Sequence, residues 1–76
     1  MSIIPALTPK QILRALLKAG FQIIRQRGSH IRLEHPISGK STTVALHVKD
    51  MSRKMTLVIL KQAGVSVKDF IKFLKK

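Results

Sequence analysis

The chain has 76 residues, with 15 Lys or Arg against 3 Asp or Glu, a formal charge of +12 with His neutral. It holds no Cys, which excludes a disulfide framework, thiolate zinc sites and a cysteine nucleophile. Its only acidic side chains, Glu34, Asp50 and Asp69, are too few for a two-metal phosphoryl-transfer site or a facing carboxylate pair. The length accommodates one domain over residues 1–76, and so large a basic excess destabilises a compact state by self-repulsion, so a polyanion, nucleic acid first, is the expected company.

Met1 to Leu7 is apolar but has neither a basic start nor a long apolar core, and no run approaches the ~20 apolar residues of a membrane span. The expectation is a soluble, cytoplasmic protein that uses no membrane. Thr8-Pro9-Lys10-Gln11 then reads as a helix start: Thr8 caps, Pro9 takes the tolerated first position and Gln11 completes a capping box. A helix is predicted over residues 9–19, with Leu13, Leu16 and Leu17 on its inner face and Gly20 as its stop. Lys10, Arg14 and Lys18 fall four apart on the other face, a like-charge spacing that weakens a helix.

After Gly20 the period changes to two. Phe21 and Ile23 share one face of a strand running to about Gln26, although Ile24 breaks the alternation. Arg27-Gly28-Ser29 is a tight turn, and in the strand His30 to His35 the apolar Ile31 and Leu33 alternate with His30, Arg32 and Glu34, which share the polar face. A second turn over Pro36 to Lys40 leads to a third strand, Ser41 to Leu46, and the three strands are expected to form an antiparallel meander. His47 to Asp50 reads as a loop. Ser52 caps a second helix through Ala63, with Thr56, Ile59, Leu60 and Ala63 inward, Met55, Leu57 and Val58 thickening that face, and Gly64 as its stop. This helix is expected to be the most buried. Ser66 to Asp69 opens a short last helix with Val67, Phe70, Ile71 and Leu74 inward and Lys68, Lys72, Lys75 and Lys76 outside. The order predicts an α+β fold: a three-stranded antiparallel sheet with helices on one face and the other face wet.

Single-strand readers stack bases on aromatic side chains, whereas this chain has no Trp or Tyr, and Phe21 and Phe70 fall at core positions. Three histidines with few carboxylates make a poor metal site, and no metal or cofactor is expected. The constellation that remains is Arg25, Arg27, Gly28, Ser29, His30 and Arg32, gathered about one turn. A phosphodiester there could accept from backbone N–H groups near Gly28 and Ser29 while the arginines neutralise its charge. His30 is the one local side chain that exchanges a proton near neutral pH, and removing the proton of an RNA 2′-hydroxyl lets that oxygen attack the adjacent phosphorus without metal. DNA lacks the hydroxyl and should survive. Lys40 is a further candidate phosphate contact, and the second proton-transfer group is left open between His47, Lys40, water and none, with His47 itself read first as a structural or loop residue. His35, before Pro36, reads as a packing residue. Taken alone, Gly-Ser-His is weak evidence, since a glycine turn before a strand that begins with His would look the same.

In combination the motifs say more. Ala19-Gly20-Phe21, Arg25-Gln26-Arg27-Gly28-Ser29-His30, His35-Pro36, Val44-Ala45-Leu46-His47, Thr56-Leu57 and Ile59-Leu60-Lys61-Gln62-Ala63-Gly64 occur in that order, and together they resemble the HicA family of bacterial toxin mRNA interferases over about residues 8–74. The chain departs from the usual family pattern at Ala45, Val48 and Met55, about the loop after the third strand. The resemblance implies a fold similar to the double-stranded RNA-binding domain and His30 as the catalytic residue of an endoribonuclease acting on mRNA. It also implies a HicB-type antitoxin as partner, and no DNA binding by the toxin alone is expected. Two other readings stand beside it: a non-catalytic double-stranded RNA-binding module, and a basic interaction protein for an acidic partner.

Overall fold

In the computed structural model, which describes Ile4 and residues 6–75, helix α1 runs over Pro9–Lys18 and opens with the predicted capping box. Thr8 Oγ1 accepts from the Gln11 N–H, and the Thr8 N–H donates back to Gln11 Oε1 at 2.9 Å. Three strands follow, β1 (Gln22–Arg27), β2 (His30–Glu34) and β3 (Ser41–Ala45), paired antiparallel in chain order. Helix α2 (Arg53–Ala63) is capped by Ser52 and ends at Gly64, whose φ of 69° is the left-handed stop that glycine supplies. Helix α3 (Val67–Lys75) begins where Ser66 Oγ accepts from the Asp69 N–H. The fold is therefore the expected α+β meander, with order α-β-β-β-α-α. Lys76 and Met1 lie outside the described residues. No described helix is long and apolar enough to cross a membrane.

The alternation of β2 and β3 decides which side is covered. Ile31, Leu33, Thr42 and Val44 are buried, whereas His30, Arg32 and Thr43 between them are exposed. The buried set meets Ile12, Ala15 and Leu16 of α1, Ile59, Leu60 and Ala63 of α2, and Phe70 of α3 in one hydrophobic core. Thr42 enters that core with its hydroxyl donating to Gln62 Oε1 of α2 at 2.9 Å, which satisfies a polar group that burial would otherwise penalise. Leu7 pairs with Met51 in an isolated antiparallel bridge, and both are buried, so the segment before α1 closes one end of the core.

Four packing expectations are corrected. On α1 the inner face is Pro9, Ile12, Ala15 and Leu16, while Leu17 lies outside it at 39% exposure. Ile23 is 46% exposed, because the helices pack chiefly over β3 and leave all six residues of β1 open to solvent. On α2, Met55, Leu57 and Val58 are each more than 40% exposed, since they fall off the Thr56, Ile59, Leu60, Ala63 stripe. That helix is also no more buried than α1, each turning four residues inward.

Candidate active site

The β1–β2 hairpin creates the site. Only Gly28 and Ser29 separate the strands, and Gly28 has a φ of 59° while no described non-glycine residue has positive φ, so the glycine alone takes the left-handed step that a two-residue hairpin loop demands. Nothing lies within 4 Å of where a Gly28 side chain would begin, so the turn is open to an approaching group.

Register then determines which arginines share the face. The ladder shifts between Ile23 and Arg25, making Ile24 a bulged residue, and beyond the bulge Arg25 lies opposite Arg32 and Arg27 opposite His30. Residues directly opposite each other in a sheet point to the same side. Without the extra residue Arg25 would pair with Ile31 and turn toward the core, because a one-residue slip exchanges the two faces of a strand. The broken alternation at Ile24 is thus the feature that carries Arg25 and Arg27 to the wet face beside His30 and Arg32. Like charges placed directly opposite on a sheet are unfavourable, so the Arg25–Arg32 pairing does not serve stability.

His30 is exposed, and its ring has no hydrogen-bond partner among the described residues; Arg25 and Arg27 are likewise exposed and without polar side-chain partners there. Arg32 differs, since its Nη2 donates to Ser41 Oγ at 3.2 Å. Ser41 lies opposite Glu34, so the Arg32 head leans along the sheet away from His30.

The sequence separated His47 from this group by seventeen positions, yet the fold brings it in. The His30 and His47 ring centroids are 5.3 Å apart, and His47 Nδ1 shares a 3.0 Å hydrogen bond with Ser29 Oγ. The Leu46 N–H also donates to the Ser29 carbonyl at 2.7 Å, so the turn after β3 is tied to the Gly28-Ser29 turn. The β2–β3 register carried the signal: with Glu34 opposite Ser41, Ala45 falls opposite His30, and His47 two residues later reaches Ser29.

Lys40 is not brought to the cluster. It sits at the opposite end of the β2–β3 hairpin, where its aliphatic chain lies across Gly64. His35 has a packing environment: its ring meets Phe21 edge-on at 5.1 Å, and Nδ1 accepts from the Ile37 and Ser38 N–H groups at 3.2 and 3.3 Å. No three His, Cys, Asp or Glu side chains group as metal ligands among the described residues.

The family described as the HicA toxin of bacterial toxin–antitoxin systems matches residues 9–65, from the start of α1 to the residue after the stop of α2. The chain belongs to the HicA toxin family. It is therefore a toxin of a toxin–antitoxin system, of a family whose members are generally endoribonucleases and which implies pairing with a HicB antitoxin. Helix α3 lies beyond the matched residues, while the Gly28-Ser29-His30 turn and His47 both fall inside them. No curated protein matches the chain significantly.

Proposed function

We propose that this HicA toxin is an endoribonuclease that cleaves mRNA without a metal ion or other cofactor and so arrests translation and growth in the cytoplasm, with a HicB antitoxin holding it inactive. His30 is the catalytic histidine and general base: it takes the 2′-hydroxyl proton, the 2′ oxygen attacks phosphorus, and the chain breaks to leave a 2′,3′-cyclic phosphate and a 5′-hydroxyl. Positioned general-base catalysis contributes typically ~10² to 10⁴-fold. Arg25, Arg27 and Arg32 neutralise the phosphates, and cations directed at the developing phosphorane charge supply an electrostatic contribution besides. The open Gly28-Ser29 backbone receives the strand, and Lys40 at the far end of the hairpin would meet a phosphate several nucleotides from the scission.

The observation that carries this reading is the exposed His30 imidazole, free of hydrogen bonds among the described residues, on the same open face as Arg25 and Arg27. Catalysis needs that ring, whereas the function of a binding module would survive its loss. The test incubates the chain and its His30→Ala variant with mRNA in EDTA. Fragments ending in 2′,3′-cyclic phosphate are expected from the parent alone, and intact RNA in both reactions would refute it.

A further inference from the structure

The three histidines have different surroundings. His35 is held by two backbone N–H groups and an aromatic edge, so its ring has a packing duty. The His47 ring is exposed and belongs to no core cluster; its hydrogen bond among the described residues is to Ser29 Oγ, and its neighbouring ring is that of His30. An exposed imidazole with no packing duty, fastened beside another imidazole in an arginine-lined turn, is placed for chemistry.

We infer that His47 is a second catalytic residue, which protonates the leaving 5′ oxygen, and that Ser29 is its positioning residue. This rests on the reading of the chain as a ribonuclease with His30 as base. As imidazolium, His47 donates its Nδ1–H to Ser29 Oγ and carries its other proton on Nε2, the nitrogen left to face the substrate. In the reaction the O2′–P bond forms as the 2′ proton passes to His30, and the P–O5′ bond breaks as O5′ takes the Nε2 proton of His47. The products are the cyclic phosphate, a 5′-hydroxyl, protonated His30 and neutral His47, and proton exchange with water restores the pair. A centroid separation of 5.3 Å suits the task, because the entering and leaving oxygens lie on opposite sides of one phosphorus. Each ring nitrogen then needs only to come within about 2.6 to 3.2 Å of its own oxygen.

The test uses two short oligoribonucleotides, identical except that in one a sulfur replaces the leaving 5′ oxygen of the scissile bond. A thiolate departs without a proton, so the acid is dispensable for that substrate alone. His47→Ala should lower kcat on the oxygen substrate by about 10²-fold or more, with KM little changed, and recover to within about tenfold of the parent on the sulfur substrate. His30→Ala should stay inactive on both. Ser29→Ala should lower kcat on the oxygen substrate more than on the sulfur substrate, a selectivity that mere loosening of the turn would not produce. Parent-like cleavage of the oxygen substrate by His47→Ala overturns the inference. So does an equal loss on both substrates, or rescue of His30→Ala instead of His47→Ala. Failure of the parent to cleave either substrate would instead bring down the ribonuclease reading itself. Because His47 is exposed, its replacement should leave thermal unfolding near that of the parent, which the same preparations check.

Discussion

The arginine face makes a prediction that salt can read. Replacing Arg25 and Arg27 together by Ala removes two of the three guanidinium groups on the open face of the hairpin and leaves Arg32, which is bonded to Ser41. Neutralising phosphates on a single strand lowers log Kobs with log salt by about 0.7 for each phosphate contacted, so three contacts supply a slope of roughly −2 and one supplies about −0.7. Between about 50 and 200 mM salt, three contacts weaken binding roughly 18-fold and one contact weakens it less than about threefold. Other cations of this +12 chain add to both slopes, so the quantity to compare is the difference, about 1.4, or roughly sevenfold across that range. Binding of a single-stranded oligoribonucleotide is followed by fluorescence anisotropy, with His30→Ala in both proteins so that the strand survives the titration. Equal slopes with and without Arg25 and Arg27 would refute the claim that the bulge at Ile24 directs these side chains to the RNA.

Two further outcomes follow from burial. His35→Ala should lower stability by about 1 kcal/mol, through loss of the Phe21 edge contact and the acceptor for two turn N–H groups, while kcat of the folded protein holds; a collapse of kcat in folded protein would count against its packing role. Leu33 and Ile23 are opposite each other across the ladder, but one is fully buried and the other 46% exposed. Leu33→Ala should therefore cost about 3 to 5 kcal/mol and Ile23→Ala less than about 1, as read by urea unfolding, and similar losses would contradict the open, helix-free position of β1.

Local chemistry made most of the fold legible. The capping box at Thr8 and Gln11, the cap at Ser52 and the glycine after α2 each act within a few residues, so helix boundaries could be read from neighbours alone. Alternation in β2 likewise placed His30, Arg32 and Glu34 on one side, because a strand flanked by tight turns has no other way to bury Ile31 and Leu33. What escaped was how far each apolar face extends. Leu17, Leu57 and Val58 lie beside true core positions along the helix, and a periodic pattern does not specify how wide a stripe its neighbours cover. Ile23 looked internal because its alternation is internal, yet the helices lie chiefly over β3, and which strands they cover is a property of the tertiary packing.

The candidate site was half legible for a related reason. Arg25, Arg27, Gly28, Ser29 and His30 belong to one hairpin, so a local reading gathers them without knowledge of the rest. His47 joins them through a second hairpin, and its distance from His30 depends on where the Pro36 to Lys40 turn starts the count. Once the His35 N–H donates to the Lys40 carbonyl and Glu34 faces Ser41, every step back along β2 is matched by a step forward along β3. Ala45 must then face His30, and the Leu46 N–H reaches the Ser29 carbonyl. A turn one residue longer would displace His47 along the sheet and exchange the faces of β3, turning Val44 outward at the same time. The burial of Thr42 and Val44 therefore holds the register that keeps the two imidazoles together, and the hydrophobic face of β3 is as much a determinant of the site as the polar residues that line it.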